Sequence, residues 1–351
     1  MTANKPFSTS RRTFVQGSTA AAAAATTLSL GGQAHAADGE EGTAENPYVV
    51  KVATVAPPGT PWATLLNRGF KKKVKKASEG RIKIKTYLGG ALGDEISTAE
   101  ACKRGTIQIF AGTAGALAAA VPELDVLELP YSFKSLKHAD HVLDDVIRED
   151  LARLLWERGY HLMFYSENGY RSIGSNRAVR SKADLAGLKM RSQQSDVHLN
   201  TWRALGASPV PMAVTEVLSA LQTGVVDGFD NTPLFSFAAS WYQAITHFTL
   251  SRHIYQAGIV VASRKFWEPL PDDIKKIMMG DPANLSKKGR RGVRAIGPML
   301  IENFRGAGIE VIEPTDGEMA AFKADAKPVW EKFRDTTSAE GKALFDKIRS
   351  A

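Results

Sequence analysis

The alternation of strand and helix patterns is the feature that most constrains the fold of this chain. Residues 49–55 form a β-branched run that predicts a buried strand. Thr60 and Pro61 then predict the N-cap and the first position of a helix, because apolar residues follow at i, i+3 and i+4 spacing. Residues 81–86 alternate between basic and apolar side chains, which predicts a second strand with one exposed face. Strand, helix and strand in this order predict a βαβ unit and an α/β fold.

The same alternation continues through the rest of the chain. Strand patterns occur at residues 107–110, 160–166, 225–229 and 255–263. Helical patterns occur at residues 96–103, 135–158, 197–205, 214–221, 272–304 and 316–349. Asn168 and Gly169 predict a turn, and Ser181 with Asp184 resembles a capping box. We expect helices on both faces of the sheet and a ligand site beyond the carboxyl ends of the strands.

The first 36 residues have the three parts of an export signal. Arg11 and Arg12 form a twin-arginine pair, an uncharged stretch follows at residues 17–30, and residues 34–36 form a small-x-small cleavage site. The uncharged stretch is too short and too weakly apolar for a membrane span. The pattern predicts a twin-arginine signal peptide over residues 1–36, and an exported, periplasmic chain that begins near Ala37. A disordered alanine-rich start of a cytosolic protein is the alternative.

The net charge limits which partners the chain can bind, and the number of cysteines limits what can stabilise its fold. The formal net charge is +8, of which Lys5, Arg11 and Arg12 contribute +3 and the remaining chain +5. This mild excess suits a small anionic ligand as well as a nucleic acid. The single cysteine, Cys102, cannot form an internal disulfide, so we expect it to be a small buried side chain. Stability must then come from the core, and the length of the chain favours two lobes over one.

Two arginines are candidates for chemistry, because each follows a predicted strand or turn. Arg191 comes directly after the buried strand at residues 188–190, and Arg171 follows the predicted turn. A guanidinium near a core is costly unless it is paired. The pair could hold a ligand carboxylate, or each could form a structural ion pair with Asp227 or Asp230. The residues alone leave both interpretations open.

Other motifs point less clearly to chemistry. His138 and His141 lie near three aspartates and could ligate zinc, although acidic residues at a helix start explain the same pattern. Basic runs at residues 71–76 and 287–294 are typical of solvated helix faces, so we expect no nucleic-acid partner. The glycine-rich segment 89–95 lacks a phosphate-loop or dinucleotide motif. We therefore predict no catalytic residue, no metal and no cofactor.

The stretch from residue 185 to 233 resembles the signature region of one transport family. It contains "LAGLKMR", "GASPVPM" and "EVLSALQTGVVDG" in this order, which is similar to the solute-binding proteins of tripartite ATP-independent periplasmic (TRAP) transporters of the DctP type. Weaker similarity covers nearly all of the chain after the leader. The resemblance implies a two-lobed α/β fold with a ligand cleft between the lobes and a long scaffold helix, for which residues 272–304 are the candidate.

The resemblance also suggests boundaries for the two lobes. Lobe I would comprise residues 37–168 and about 254–283. Lobe II would comprise residues 169–253 and about 284–351. These boundaries place the predicted turn at the first crossing between the lobes.

The resemblance implies roles for individual residues. Arg191 matches the arginine that clamps the ligand carboxylate, Arg171 matches a second arginine, and Asn231 matches an asparagine that hydrogen-bonds the same group. Gln194 and Val214 fall on positions that often line the pocket. The family often has Val-Pro after the clamping arginine where this chain has Ser-Gln-Gln, and that departure leaves the identity of the ligand open.

Further pocket candidates are large or acidic side chains. Phe229, Trp241 and Trp62 would make the pocket partly aromatic, although large residues more often pack the core. Asp94, at the end of the glycine-rich segment, is a further ligand-binding candidate.

The resemblance implies a binding protein and not an enzyme. The lobes would close on an organic acid, and the closed form would deliver it to the small and large integral membrane subunits of the transporter. Two alternatives stay open: an exported cofactor-containing enzyme, and the ligand-binding module of a sensor. The sequence does not name the acid.

Overall fold

Nine strands form one mixed β-sheet in residues 41–351, the part of the chain that this computed structural model describes; the predicted signal peptide at residues 1–36 lies outside it. The strands are β1 (Tyr48–Ala53), β2 (Ile82–Tyr87), β3 (Ile109–Thr113), β4 (Tyr160–Ser175), β5 (Lys189–Ser192), β6 (Ser208–Pro211), β7 (Gly228–Asn231), β8 (His247–Ser263) and β9 (Glu310–Ile312). Their order in the sheet is β2-β1-β3-β8-β4-β7-β5-β6, and β9 pairs with β8.

Two long antiparallel strands connect two groups of parallel strands. Strand β1 pairs in parallel with β2 and β3, and β5 pairs in parallel with β6 and β7. The start of β4 and the end of β8 pair with each other beside β3, whereas the end of β4 pairs with β7 and the start of β8 with β9. We call the half with β1–β3 lobe I and the half with β5–β7 and β9 lobe II. The α/β, two-lobed prediction is confirmed.

The helices cover the sheet on both sides. The α-helices are α1 (Pro61–Thr64), α2 (Lys72–Ala77), α3 (Glu95–Arg104), α4 (Ala114–Leu117), α5 (Leu136–His141), α6 (Arg148–Glu157), α7 (Lys182–Leu185), α8 (Asp196–Ala204), α9 (Val217–Gln222), α10 (Pro233–Ala238), α11 (Arg264–Trp267), α12 (Asp272–Met279), α13 (Pro282–Gly306), α14 (Asp316–Thr336) and α15 (Ala339–Ser350). Short 3₁₀ segments lie at Pro122–Glu128, Val214–Glu216 and Trp241–Ala244, and π-helical segments at Leu65–Lys71 and Val142–Val146.

Local sequence explains where several helices begin. The Thr60 side chain accepts a hydrogen bond from Ala63 N, and Pro61 occupies the first position of α1, as predicted. Ser181 and Asp184 form the predicted capping box of α7. These caps satisfy backbone N–H groups that the helices themselves leave free.

Three predicted long helices are each divided in the structure. The pattern at residues 135–158 contains a π-helical segment between α5 and α6. The pattern at 272–304 separates into α12 and α13, because Gly280 adopts φ +53° and Pro282 starts a new helix. The pattern at 316–349 separates into α14 and α15, where Ser338 caps the second helix. Apolar periodicity continues across each of these breaks, so it did not reveal them.

The predicted turn at residues 168–169 is a bulge within one strand. Strand β4 continues for 16 residues, and its pairing with β8 shifts between Glu167 and Gly169. Gly169 has φ +96°, which a residue with a side chain adopts only with strain. A bulge bends its strand, and β4 continues through this one from lobe I into lobe II.

Two long helices also extend across both lobes. Leu285, near the start of α13, packs with the lobe I core, and Phe304, near its end, packs with the lobe II core. In α14, Phe322 packs in lobe II and Phe333 in lobe I. The long scaffold helix of the predicted fold is thus α13, a 25-residue helix.

The C-terminal part of the chain departs from the predicted lobe boundaries. Leu344 and Ile348 of α15 pack in the lobe I core, whereas the boundaries assigned residues 284–351 to lobe II. The chain returns to lobe I through α14, a crossing that has no signal in the sequence. Cys102 is fully buried in the same core, the position expected from its type. In residues 41–351, no helix is both long and apolar enough for a membrane crossing.

Candidate functional site

A narrow cleft lies beyond the carboxyl ends of the parallel strands, between lobe I and lobe II. Its lobe I wall consists of Thr54, Val55, Ala56, Pro57, Thr60, Trp62, Glu95, Gly112 and Thr113. Its lobe II wall consists of Arg171, Arg191, Gln193, Val214, Asn231, Leu234 and Phe235, and Asn168 and Gln256 of the two long strands complete it. About 540 Å³ of space lies between the atoms of the two walls.

Arg191 is buried in the lobe II wall. It lies in β5, where Met190 faces the core and Arg191 faces the cleft, because successive side chains point to opposite faces of a strand. Its Nη2 atom donates to the Met212 carbonyl oxygen at 3.0 Å, and its guanidinium lies 5.6 Å from the centre of the Trp241 ring. The Nε atom is buried and has no hydrogen-bond partner among the described residues.

The charge of Arg191 is not neutralised by the protein. The residue is 3 % exposed, yet no carboxylate in residues 41–351 lies within ion-pair distance of its guanidinium. Burial, followed by the positive charge of Arg171, lowers the pKa of Arg191 to about 10, although Asp230 and Glu95 raise it. The group is still a cation at neutral pH. A buried cation without a counter-ion is costly unless a group of opposite charge pairs with it.

Arg171 has the opposite surroundings, because it is paired with Asp230. Its Nε atom donates to Asp230 Oδ2 at 2.5 Å, its Nη2 atom donates to the Asp230 carbonyl oxygen at 2.6 Å, and its Nη1 atom lies 3.5 Å from Gln193 Oε1. Burial opposes the charge of Arg171, but Asp230 outweighs it and raises the pKa of Arg171 above its ordinary value. Arg171 could have held a ligand carboxylate or formed a structural ion pair, and the structure shows the ion pair. Arg171 also lines the cleft.

A buried polar network continues from Asp230 into lobe I. His253 Nε2 lies 3.3 Å from Asp230 Oδ2, and His198 lies between Asp230 and Glu128, with its Nδ1 atom 3.9 Å from Asp230 Oδ2 and its Nε2 atom 2.5 Å from Glu128 Oε2. Glu128 Oε1 also accepts a hydrogen bond from the backbone of Gly115. Burial raises the pKa of Asp230, but Arg171 and His253 hold it well below its usual value. Asp230 is thus an ionised partner of Arg171 and not a free acid.

Three more predicted residues line the cleft. Asn231 accepts a hydrogen bond from Thr232 N through its Oδ1 atom, and its amide nitrogen has no protein partner in the described part of the chain. Trp62 donates its indole N–H to Asn168 Oδ1 at 2.5 Å, so lobe I contacts a long strand here. Val214 contributes apolar surface.

Four predicted residues lie outside the cleft. Gln194 is exposed, and Gln193 lines the cleft instead, because it lies two residues after Arg191 and faces the same side. Phe229 and Trp241 are buried in the lobe II core, and the Trp241 ring contacts the Arg191 guanidinium from the core side. Asp94 is outside as well.

Asp94 has a structural role at the start of α3. Its Oδ1 atom accepts a hydrogen bond from Ser97 N at 3.0 Å, as expected for an N-cap. The acid that lines the cleft is its neighbour, Glu95, which the sequence did not single out. An aspartate directly before a helical pattern is a capping signal, so it identifies Asp94 as the cap and leaves Glu95 as the free acid.

The acids near the two candidate zinc ligands are used elsewhere. Arg290 binds Asp144 with two hydrogen bonds of 2.6 and 3.0 Å, and Arg294 binds Asp140 with two of 2.7 Å. The side chain of His141 contacts Asp145 at 2.9 Å. Within residues 41–351, no group of three or more His, Cys, Asp or Glu side chains is arranged to hold a metal ion.

Comparison with known proteins gives a family match and many relatives. The model of the DctP family, bacterial extracellular solute-binding protein family 7, matches residues 52–336. A solute-binding protein of Verminephrobacter eiseniae is 32 % identical over 283 residues, which are 80 % of this chain and 83 % of the relative. The C4-dicarboxylate-binding periplasmic protein DctP of Rhodobacter capsulatus is 29 % identical over 84 % of this chain and 89 % of its own length.

Solved structures agree with these relatives. The sugar acid binding protein DctPAm of Advenella mimigardefordensis, in complex with galactonate, has a TM-score of 0.82 at 27 % identity and covers 87 % of this chain and 98 % of that one. A TRAP periplasmic solute-binding protein of Sulfurospirillum deleyianum with bound succinate has a TM-score of 0.80 at 25 % identity, with 86 % and 98 % covered. The resemblance seen in the sequence is thereby confirmed, and the chain belongs to bacterial extracellular solute-binding protein family 7, the DctP family.

Proposed function

We propose that this solute-binding protein holds the carboxylate of a small organic acid on Arg191, in the cleft between its lobes. The observation that supports this proposal is Arg191, which is a buried cation without a carboxylate partner among residues 41–351. Hydrogen bonds that involve a charged group contribute about 1.5–3 kcal/mol each. A ligand carboxylate would accept from a guanidinium whose Nε atom has no protein partner, and it would supply the missing counter-ion.

Two amide groups beside Arg191 could also bind the carboxylate of the ligand. Asn231 and Gln193 have amide nitrogens without protein partners in the described chain, and both residues line the cleft beside Arg191. Amide N–H groups and a guanidinium are all donors, and a carboxylate accepts hydrogen bonds only. Because Asp230 already neutralises Arg171, the cleft has one uncompensated positive charge on its lobe II wall. This balance fits one carboxylate on that wall.

Closure of the lobes would be part of binding. The walls come from both lobes, so separation of the lobes would open the cleft to an organic acid. Contacts between the ligand and both walls then supply free energy that favours the closed form. Strands β4 and β8 and helices α13 and α14 run through both lobes and are the elements about which such a movement would occur.

Relatives support an organic acid as the ligand class. The protein of Advenella binds galactonate and that of Sulfurospirillum binds succinate. The two ligands differ in length and in hydroxylation but share a carboxylate. That shared group is the one that Arg191 would hold.

We extend the proposal to location and partners. The twin-arginine pair at residues 11 and 12 supports export to the periplasm, where the closed protein would deliver the acid to the small and large membrane subunits of a TRAP transporter. Replacement of both arginines by lysine should retain the protein in the cytoplasm, as cell fractionation would show. Unchanged export of that variant would argue against the twin-arginine route.

A thermal-shift screen tests the proposed ligand class. Galactonate, erythronate, glucuronate and succinate should include at least one acid that raises the unfolding temperature of the wild type in a concentration-dependent manner. Arg191→Gln should lose most of that rise, whereas Arg203→Gln, which removes an exposed arginine of α8, should keep it. Equal rises in the wild type and in Arg191→Gln would remove Arg191 from this role.

A further inference from the structure

The lobe I wall of the cleft contains an acid that the proposed carboxylate site does not use. Glu95 is the first residue of α3 and lines the cleft on the wall opposite Arg191. Its Oε1 atom accepts a hydrogen bond from Thr113 N at 2.8 Å, and its Oε2 atom lies 3.4 Å from Thr113 Oγ1. Nowhere in residues 41–351 does Glu95 form an ion pair with a basic side chain.

Glu95 retains capacity to accept hydrogen bonds. A carboxylate has about four acceptor positions, and Thr113 occupies two of them. An ionised carboxylate has no donor, so it can be satisfied only by N–H or O–H groups. The cleft thus offers an unpaired cation on one wall and an unpaired acid on the other.

The groups around Glu95 are hydroxyls and amides. Thr54, Thr113 and Asn168 line the cleft with it, and the Thr54 hydroxyl accepts from Ala56 N, which leaves its own proton available. Hydroxyls and amides both donate and accept, and this is the pattern that matches alcohol groups. An ammonium group donates three hydrogen bonds and accepts none, and it would leave the donors of this wall without acceptors.

We propose that Arg191 and Glu95 together select carboxylic acids that carry hydroxyl groups at the end away from the carboxylate, and that Glu95 rejects dicarboxylates. This inference rests on the proposed function, in which Arg191 holds the first carboxylate. The ligand hydroxyls would donate to Glu95 across the cleft. A second carboxylate would instead meet a like charge, and one of the two groups would have to become protonated.

The electrostatic surroundings make this rejection depend on pH. Burial raises the pKa of Glu95 to about 7, and Glu128 adds to the rise, although the Thr113 N–H and Arg191 lower it. Glu95 is therefore ionised in alkaline solution and protonated in acidic solution. The discrimination against dicarboxylates should be strong at pH 8.5 and weak at pH 6.

Two matched pairs of acids test the inference by isothermal titration calorimetry. Galactonate and galactarate differ in one terminal group, as do 4-hydroxybutyrate and succinate. At pH 8.5 the wild type should bind the hydroxy acid of at least one pair about tenfold more tightly than its dicarboxylate, which corresponds to about 1.4 kcal/mol. For galactonate and galactarate, that ratio should fall severalfold at pH 6.

Variants assign the selectivity to one side chain. Glu95→Gln should reduce the ratio to less than about threefold, because a neutral amide can donate to the second carboxylate. Asp94→Asn is the matched control: it removes the adjacent acid, Asn still caps α3, and the ratio should stay as in the wild type.

Several results would overturn the inference. These are both dicarboxylates bound as tightly as their hydroxy acids by the wild type at pH 8.5, a ratio for galactonate and galactarate that does not fall at pH 6, a ratio that Glu95→Gln leaves unchanged, or 4-aminobutyrate bound more tightly than 4-hydroxybutyrate. The pH comparison uses the wild type alone, so it tests the inference even if a variant does not fold. Tight binding of dicarboxylates that still depends on Arg191 would contradict this inference and leave the proposed function intact. No binding of any of these acids would contradict both.

Discussion

The Nε atom of Arg171 lies 2.5 Å from Oδ2 of Asp230, and the two side chains are each 1 % exposed. The backbone carbonyl of Asp230 accepts a second hydrogen bond from the same guanidinium at 2.6 Å. Arg191 lines the same cleft without any such partner in the described chain. Asp230 therefore neutralises one of the two arginines of the cleft, and Arg191 is the one that we propose to hold the ligand.

The Arg171–Asp230 pair should be essential for stability. Asp230→Asn leaves the Arg171 guanidinium buried without its counter-ion, and removal of one partner of a buried pair costs about 3–5 kcal/mol. Urea unfolding at pH 7 measures this loss. Asp273→Asn, which breaks an exposed pair with Arg81, is the control and should change the free energy of unfolding little. Similar losses in the two variants would contradict this account of the pair.

The same pair gives a pH dependence of known sign. The pKa of Asp230 is held well below its usual value by Arg171 and His253, against the effect of burial. Its contribution to stability is thus complete above the ordinary pKa of about 3.9 and is lost as the pH falls toward the lower, folded-state value. In acid, the wild type should lose more stability than Asp230→Asn does, as urea unfolding at pH 3 and pH 7 would show. A parallel fall in both proteins would be inconsistent with this linkage.

The indole ring of Trp62 packs against Gly258 of β8, in space that a side chain at position 258 would fill. A Cβ atom at Gly258 would lie 2.4 Å from Trp62 Cζ2 and 3.2 Å from Glu167 N. Gly258→Ala should displace the indole, lower the stability by about 1–3 kcal/mol and weaken ligand binding. Gly306→Ala is the control, because a Cβ atom there meets nothing within 4 Å. Thermal unfolding with and without ligand measures both effects, and unchanged affinity in Gly258→Ala would exclude Trp62 from the binding wall.

His161 should contribute a second pH dependence, far from the cleft. Its ring stacks on Trp267 with 4.2 Å between ring centres, and burial, with smaller contributions from Lys275 and Arg148, lowers the pKa of His161 to about 4. The unfolded chain binds this proton near pH 6.5, so the stabilisation is complete above pH 6.5 and is lost as the pH falls toward 4.

His161→Phe isolates that contribution, because it retains an aromatic ring for the stack and removes the titrating group. Between pH 7.5 and 4.5, the free energy of unfolding of the wild type should fall by up to about 2 kcal/mol more than that of the variant, after allowance for the partial exposure of the ring. Chemical denaturation at the two pH values measures the difference. Equal falls would show that the His161 pKa is not lowered by folding.

Local patterns in the sequence predicted the fold class and the two arginines of the cleft, and the family resemblance added Asn231 and Val214. Strand and helix periodicity predicted the α/β alternation, and the end of the strand at residues 188–190 located Arg191. The sequence left the partner of Arg171 open between Asp227 and Asp230. That choice depends on the antiparallel register of β4 and β7, which pairs Ile173 with Asp230. Register between distant strands is a tertiary property that composition and spacing do not contain.

Assignments within the cleft required the direction of each side chain. Gln193, and not Gln194, faces the cleft because side chains alternate along the extended chain that follows β5. Glu95 was overlooked because its position in the cleft depends on β3, whose Thr113 orients it and lies 18 residues farther along the chain. Trp241 contacts Arg191 from the lobe II core and does not line the cleft. Residue type alone does not distinguish a core position from a cleft position.

A crystal structure of the protein with a bound organic acid tests the central claim most directly. We predict that the ligand carboxylate lies within hydrogen-bond distance of the Arg191 guanidinium, at about 2.7–2.9 Å, and that Arg171 stays paired with Asp230. A ligand bound elsewhere, with Arg191 neutralised by an aspartate or glutamate of the protein itself, would contradict the account.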